Sequence, residues 1–391
     1  MKFSVLLPTR NGGPYLRDCV SSVLGQSEAD MELVIADNAN TDQTPELLRE
    51  FEENDKRVRV VRHATVKSVT ENWNSALEAS RGEYLVMIGD DDCLLPGYFD
   101  SLRRVLSRFN DPDCIVYNGF SYVFPGSVGH NQESYFVDPH FTFDRSLSEG
   151  PLPAEYRRGL VRDMFRFVVR YPLNIQLTMF SRRAMNLVPA PFFRAPFPDH
   201  FAINSLLLKA GSIVYTPERL LVIGLSQKSF GHFAYGGADE DGMTYLGSTS
   251  SFPGRLDGSE LMNSMHAWLL LLKTAYPEEL AATEIDRGAY VRRQVMSWVV
   301  ELRQGHFSQK RFGRRMRELR AGDWGRLATS GFSPDVWRRL PKVMAIARRD
   351  RIRQAWPRAT ALPGVSDIAE FSAWASREHQ PQAGRPGTSS E

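Results

Sequence analysis

Hydrophobic and polar positions follow two alternating periods along the first 110 residues. Four apolar runs without polar alternation indicate buried strands: 3–7, 32–36, 58–61 and 84–88. The stretches between them place apolar residues at helical spacing, as Leu16, Val20 and Val23 do. Strands joined by helices in this order predict an α/β fold with a mainly parallel sheet covered on both faces.

The rest of the chain divides into blocks of different character. A second ordered block, 176–223, contains strand-like and helical runs, and the segment 228–258 is rich in Gly and Ser, which is typical of a loop. We predict a main α/β domain at 1–225, a flexible loop or lid at 226–260 and a helical basic region at 261–375. The polar residues 376–391 are predicted to form a disordered tail.

Three polar clusters directly follow three of the predicted strands. Pro8 to Asn11 reads PTRN after the first, Asp37 to Asp42 reads DNANTD after the second, and Asp90 to Asp92 is a run of three acids after the fourth. Because the carboxyl ends of parallel strands meet at one edge of a sheet, we expect these clusters to form one ligand site.

The run of three acids, Asp90, Asp91 and Asp92, indicates a cation site. Adjacent carboxylates repel one another, and their pKa values rise unless a cation is near. Hard oxygen ligands suit Mg²⁺ or Mn²⁺, which proteins often hold with one or two carboxylates and the phosphates of a substrate. The alternative is a solvated acidic turn ahead of a helix opened by Pro96, where acids also favour the helix dipole.

Composition narrows the class of protein. The 391 residues are 42% hydrophobic and carry a net charge of +2, so the chain as a whole is not typical of a nucleic-acid-binding protein. Cys19, Cys93 and Cys114 are odd in number and lack the spacing of a zinc site. No apolar run approaches the roughly 18 residues that cross a bilayer. These features predict a cytoplasmic protein, with peripheral contact at the inner face of the membrane left open.

The segments that carry this site resemble a family. VLLPTRN, VIADNANTDQT, ENWNSALEASRGEYLVMIGDDD and FPDHFAINSLLLKAGSIVYTPERLLVI, in this order over roughly 3–225, resemble family-2 glycosyltransferases of the inverting GT-A type. The resemblance implies a Rossmann-like sheet flanked by helices and a nucleotide-sugar donor. It implies that the donor is bound by Pro8, Thr9, Arg10, Asn11, Asp37, Asn38 and Asp90. It also implies metal ligands at Asp91, Asp92 and His232, with Gly89 departing from an acid found in many relatives.

Asp199 is the candidate general base, because the resemblance implies an acid that opens a late helix and deprotonates the acceptor hydroxyl. Asp199 precedes a helical run at 201–210. The alternative is simple helix capping, for which Asp is a favoured residue. His200 is interpreted as a first-turn residue. His232 lies in a Gly-rich stretch, where a histidine without a role is also common.

The predicted activity is a hexosyltransferase-like, Mn²⁺- or Mg²⁺-assisted transfer of a sugar to an acceptor hydroxyl, of the kind used in polysaccharide or glycolipid biosynthesis. Nucleotidyl transfer is an alternative, although the turn RNGGP is a poor triphosphate loop. A non-catalytic domain that binds a nucleotide sugar is the third hypothesis. The acceptor, whether a saccharide, a lipid-linked sugar or a small molecule, is not encoded in these motifs.

The segment from Lys310 to Arg358 holds fifteen Lys and Arg against four acids, a difference of +11. Aromatic residues such as Trp324 and Trp337 lie among these charges. This mixture suits an amphipathic surface on an anionic membrane. The alternative is a helical appendage whose apolar face packs on the main domain. No motif for nucleic acid accompanies the charge, and no nucleic-acid partner is expected.

Overall fold

The computed structural model describes residues 1–128, 131–141, 143–144, 146–229, 251–303, 308–330 and 358–378. Within them, eleven strands form one sheet. The strands are β1 (Phe3–Thr9), β2 (Met31–Asp37), β3 (Val58–Arg62), β4 (Tyr84–Met87), β5 (Cys93–Leu94), β6 (Cys114–Val123), β7 (Ser134–Val137), β8 (Gly150–Pro151), β9 (Thr178–Ser181), β10 (Ile213–Leu225) and β11 (Thr360–Leu362).

Helices cover this sheet and extend beyond it. They are α1 (Gly13–Leu24), α2 (Thr44–Asn54), α3 (Val69–Ala79), α4 (Tyr98–Arg108), α5 (Ala154–Phe165), α6 (Arg182–Met185), α7 (Pro198–Lys209), α8 (Glu260–Ala275), α9 (Pro277–Leu280), α10 (Arg287–Arg303), α11 (Gln309–Arg317), α12 (Ala321–Ser330) and α13 (Ile368–Glu378). A 3₁₀ turn, Ile175–Leu177, precedes β9.

The strand directions bring four strand ends to one edge of the sheet. β3, β2, β1 and β4 are neighbours and run parallel, which confirms the prediction for the first half of the chain. Beyond β4 the sheet is mixed, because β9 is antiparallel to both β4 and β6. β10 runs parallel to β6 and therefore in the direction of β4. The carboxyl ends of β1, β2, β4 and β10 thus share an edge, called here the carboxyl edge.

Each face of the sheet carries its own apolar core. All seven residues of β2 are buried, and successive side chains point to opposite faces. Leu33 and Ile35 pack with residues of α1, α2 and α4, whereas Val34 and Ala36 pack with residues of α3, α5 and α7. A strand buried on both faces has no polar alternation, which is why the apolar runs located these strands.

Two predicted helix starts differ from the structure. The pair Thr44-Pro45 is typical of a cap followed by the first helical residue, yet Thr44 is itself the first residue of α2. Its hydroxyl accepts a hydrogen bond from the Gly13 amide at 3.1 Å, so it ties α1 to α2 instead of capping. Pro96 was expected to open α4, which begins at Tyr98 because Gly97 adopts a left-handed φ of 78°.

The helical C-terminal region packs on the main domain, and its last part rejoins the sheet. Trp268 of α8 and Trp298 of α10 are fully buried in the core that α5 and α7 share. β11 pairs antiparallel with β7, and Phe371 of α13 stacks on Tyr122 of β6 at 5.1 Å. The region 261–375 therefore contains a strand. The predicted tail 376–391 begins inside α13, and its residues from 379 onward lie outside the described part.

The described part of the basic segment is tied to the protein. Arg315 of α11 is buried and bonds the carboxylates of Asp257 and Glu301 at 3.1 Å and 2.9 Å. This agrees with the interpretation of a packed appendage for α11, while 331–357 lie outside the described residues. Among the described helices, none is both long enough and apolar enough to cross a bilayer.

Candidate functional site

The loop after β1 is bonded to the loops after β2 and β4. The Thr9 hydroxyl, which is buried, donates to Oδ2 of Asp90 at 2.6 Å. The Arg10 guanidinium donates to the backbone carbonyls of Asn38, at 2.9 Å, and Ala39. Pro8 lies within β1. The cluster after β1 therefore contacts both other predicted clusters, those after β2 and β4, at the carboxyl edge.

The loop after β2 is held by side-chain amides. Oδ1 of Asp37 accepts from both the backbone N–H of Asn40, at 3.1 Å, and its side-chain Nδ2, at 2.6 Å. Oδ1 of Asn11 accepts a hydrogen bond from the backbone N–H of Thr41 at 2.9 Å, and the backbone N–H of Asn11 donates to Oδ1 of Asn40. Asn38 exchanges two hydrogen bonds with the backbone of Lys67. These hydrogen bonds hold the loops after β1 and β2 in place, and the predicted contacts of these residues with a nucleotide stay a prediction.

Asp90 and Asp91 form the acidic centre of the edge. Oδ2 of Asp91 accepts hydrogen bonds from the hydroxyls of Ser226 and Ser229, each at 2.6 Å. Burial raises the pKa of Asp91, and the neighbouring Asp90 charge raises it further. Lys228 donates to Oδ2 of Asp90 at 3.0 Å. One lysine thus stands beside two close carboxylates that repel each other.

Asp92 has a different environment from its two neighbours. Its Oδ2 accepts the Gly89 amide at 2.6 Å, and its Oδ1 accepts the Gly224 amide at 2.9 Å. Its side chain is 2% exposed, and burial raises its pKa to about 8. Both oxygens are engaged in fastening the loop after β4 to β10. This geometry leaves the Asp91 carboxylate, rather than that of Asp92, as the one more available to a ligand.

The donor set of this edge fits a divalent cation bound partly by substrate. Carboxylate oxygens are the ligands that Mg²⁺ and Mn²⁺ prefer, and Asp90 and Asp91 are held side by side. Among the described residues, no group of three His, Cys, Asp or Glu side chains converges as a complete metal site would. Mg²⁺ commonly takes only one or two carboxylates and completes its shell with phosphate and water.

Gly224 lets β10 approach the acidic centre. A Cβ at this position would lie 1.9 Å from the carbonyl oxygen of Asp91. We expect Gly224→Ala to push the Asp91 turn away from β10 and to destabilise the protein by about 1–3 kcal/mol, the usual cost of overpacking. Thermal unfolding and the affinity for a nucleoside diphosphate measure the two effects.

The matched control is Gly159→Ala on α5, where a Cβ meets nothing within 4 Å. Alanine in a helix is more favourable than glycine by up to about 1 kcal/mol, so this variant is expected to be neutral or more stable. Equal behaviour of Gly159→Ala and Gly224→Ala would show that the close approach at β10 does not matter.

Asp199 reaches the same end of the sheet from α7. It lies in the first turn of that helix, and its carboxylate accepts a backbone hydrogen bond from Ile175. The 3₁₀ turn Ile175–Leu177 contacts both β4 and α7. Because β9 runs antiparallel to β4, the turn that precedes β9 lies at the carboxyl edge. Burial raises the pKa of Asp199 to about 7, and the amides of Ile175 and His200 oppose that rise.

The neighbours of Asp199 bear on both the base role and the capping alternative. The N-cap position of α7 is Phe197, but the Asp199 carboxylate accepts the first-turn amide of His200, so both roles stay predictions. His200 stacks on Phe197 at 4.6 Å and meets the edge of Trp268, while its Nε2 lies 3.9 Å from the Asp199 carboxylate. Burial lowers the pKa of His200 to about 3, so it is neutral and packs as a first-turn residue. His232 lies outside the described residues.

The sequence reasoning missed the polar residues that follow β10. Ser226, Lys228 and Ser229 all bond the acidic centre. The Tyr15 hydroxyl lies close enough to Asp91 and Asp90 for their charges to raise its pKa, although burial raises it more. The signal was present, because SQKS follows an apolar strand as the other three clusters do. Assigning 226–260 to a loop or lid hid it.

Residues 4–164 match the family described as Glycosyl transferase family 2. The glycosyltransferase GlyG of Streptococcus pneumoniae is 28% identical over 119 residues, which are 30% of this chain and 39% of that protein. A PGL/p-HBAD biosynthesis glycosyltransferase of Mycobacterium bovis is 28% identical over 174 residues, 43% of this chain and 64% of that protein. The chain thus spans less than two thirds of the length of these relatives.

Among solved structures, S. aureus TarS 1–349 in complex with UDP-GlcNAc aligns with a TM-score of 0.47 and 13% identity. The alignment covers 81% of this chain and 90% of that one. The sheet flanked by helices, the helical C-terminal region and the family match together confirm the predicted GT-A-type fold class.

Proposed function

We propose, from the premise that the chain belongs to glycosyl transferase family 2 through residues 4–164, that it moves a sugar from a nucleotide-diphosphate sugar to an acceptor hydroxyl. The observation that carries the proposal is the meeting of four strand ends at the carboxyl edge, with Asp90 and Asp91 in the loop after β4 and Asp199 at the same end of the sheet. The proposal gives this edge three tasks, which are to bind the nucleotide, to hold a cation and to supply a base.

The reaction is a single in-line displacement at the anomeric carbon, with inversion. The Asp199 carboxylate removes the proton of the acceptor hydroxyl as that oxygen attacks. A pKa of about 7 suits this role, because a general base works best when its pKa lies near the operating pH. The neutral His200 adds no positive charge that would lower the basicity of Asp199.

The donor lies along the carboxyl edge with its diphosphate at Asp90 and Asp91. A bound Mn²⁺ or Mg²⁺ supplies stabilisation of the negative charge that develops on the leaving nucleoside diphosphate. Asp91 would hold the cation, and the hydroxyls of Ser226 and Ser229 orient the Asp91 carboxylate by donating to its Oδ2. Thr9 sets the orientation of Asp90, and Arg10 keeps the loops after β1 and β2 together around the base.

A panel of nucleotide sugars tests the proposal. Each donor is incubated with Mn²⁺ and candidate acceptors of three kinds (saccharide, lipid-linked sugar and small molecule), and release of nucleoside diphosphate is measured. Release from one hexosyl donor supports a hexosyltransferase. Donor binding without release under any condition supports a binding domain instead. Nucleotidyl transfer is disfavoured, because the Asn11 and Gly13 amides of the first turn already donate to Asn40 and Thr44 and would have to break these bonds to hold a triphosphate.

Nucleoside diphosphate binding is expected to require a divalent cation. Asp90 and Asp91 would repel a diphosphate, and a single lysine, Lys228, does not neutralise both carboxylates. Calorimetry with Mn²⁺ and then with EDTA measures the difference, which we expect to be at least about tenfold in affinity, or about 1.4 kcal/mol. Equal affinity in EDTA would remove the cation from the proposal while leaving sugar transfer to be tested by the donor panel.

A further inference from the structure

A concave site separate from the carboxyl edge lies in the helical C-terminal region. It is a cavity of about 330 Å³, at the lower end of the range for ligand pockets. Its lining includes the side chains of Arg287, Arg320, Arg326, His266 and Asp323. None of these residues belongs to the carboxyl edge.

The cavity carries an excess of positive charge. The lining contains three guanidinium groups and one carboxylate, that of Asp323, which is 3% exposed and accepts from Arg287 at 3.1 Å and 2.9 Å. Arg326 is more distant, with Nη1 at 3.9 Å from the same carboxylate. Burial, and then the charge of Arg287, lower the pKa of His266 to about 4, so this side chain is neutral. The net charge of the lining is therefore +2.

Gly254 leaves open the space between two of the arginines. Its φ is 80°, and a Cβ on it would lie 3.4 Å from Nη1 of Arg287 and 3.6 Å from Nη2 of Arg320. Two nitrogens that lie 3.4 Å and 3.6 Å from one point are at most 7.0 Å apart. Within the described chain, the Arg320 guanidinium has no hydrogen-bond or ion-pair partner. Two like charges at this separation, with a gap between them, favour an anion bound across both.

We propose that this cavity binds a phosphate-bearing anion, held by Arg320 and Arg326 above the Arg287–Asp323 pair. Guanidinium groups bond phosphate oxygens in pairs, and Arg287 is fixed by its own carboxylate partner and by the Gly254 carbonyl. The phosphate belongs either to a soluble molecule or to a lipid headgroup. The site is independent of sugar transfer, because it needs neither donor nor acceptor.

Pyrophosphate binding to the full chain, measured by calorimetry in EDTA, tests the proposal. The otherwise unchanged chain serves as the background, because without a cation the carboxylates of Asp90 and Asp91 repel pyrophosphate at the carboxyl edge. Adding Arg320→Gln and Arg326→Gln is expected to weaken binding at least about tenfold, since each lost charge-assisted contact weakens phosphate binding. The matched control, Arg314→Gln with Arg317→Gln, removes the same charge from exposed positions of α11 and is expected to leave the affinity unchanged.

Sedimentation with vesicles identifies the source of the phosphate. Phosphatidylcholine vesicles with and without phosphatidic acid are compared for the wild type and both double variants. If the Arg320 and Arg326 variant, but not the control variant, stops sedimenting with phosphatidic acid vesicles, the phosphate belongs to a lipid headgroup. If the Arg320 and Arg326 variant loses only pyrophosphate binding, the phosphate belongs to a soluble ligand. Unchanged binding of both probes in that variant overturns the proposal. If the double variant does not fold, Arg326→Gln, whose side chain is 52% exposed, is judged by the same criterion.

Discussion

Replacing Asp199 with asparagine is expected to lower turnover by about a hundredfold or more, the usual contribution of a general base. Asparagine has nearly the same shape and can still accept the Ile175 amide, so the fold and donor affinity are expected to persist. Steady-state rates with a donor found in the panel, together with calorimetry of the nucleoside diphosphate, measure the two quantities.

The pH dependence of turnover tests the same role of Asp199 independently. The base must be deprotonated to act, and burial raises its pKa to about 7. Wild-type turnover is therefore expected to rise as pH rises through about 7 and to level off above it. The residual activity of Asp199→Asn is expected to lack that rise.

The control for Asp199 is Asp100→Asn, which changes an exposed acid in the first turn of α4. An acid there interacts with the helix dipole by about 0.3–1 kcal/mol. If Asp199 served only its helix, both variants would lose a little stability and keep their turnover. That outcome would contradict the proposed base.

Replacing Asp91 with asparagine is expected to reduce both cation-dependent donor binding and turnover by at least about a hundredfold, because the direct metal ligand is worth several kcal/mol. The amide can still accept the hydroxyls of Ser226 and Ser229, so the loop is expected to hold its shape. Titration of Mn²⁺ in the presence of nucleoside diphosphate measures the loss.

Asp92→Asn is the informative comparison for Asp91. An amide nitrogen cannot accept the backbone N–H of Gly89 or Gly224, so one of these buried donors would lose its partner. An unsatisfied buried donor costs about 1–3 kcal/mol, and this variant is therefore expected to lose stability more than cation affinity. The reverse pattern, with Asp92→Asn losing the cation and Asp91→Asn only stability, would exchange their roles.

The sequence located the first four strands and the clusters that follow them because these features are local. A strand buried on both faces is a short apolar run, and the polar residues after it mark its end. Thr9 and Asp90 were assigned to one site on that basis, and the structure joins them by a hydrogen bond.

Other features depended on partners distant in sequence. The length of β10 does not follow from its apolar pattern, because Pro217 and charged residues interrupt that pattern where register shifts occur against β6. β11 has three residues and exists through its pairing with β7. The distinction between Asp91 and Asp92 required Gly224, more than a hundred positions away, as the donor.

The return of β11 and α13 to the sheet has a consequence for synthesis of the chain. Phe120 and Tyr122 are buried against Phe371, and Ser134 bonds the carbonyls of Leu362 and Val365. A ribosome delivers Phe120, Tyr122 and Ser134 first and the residues that cover them more than two hundred positions later. Until they emerge, a patch of aromatic surface beside α1 faces water, where it can bind chaperones or other nascent chains. A translation arrest before residue 360 would leave the donor-binding half formed but prone to association.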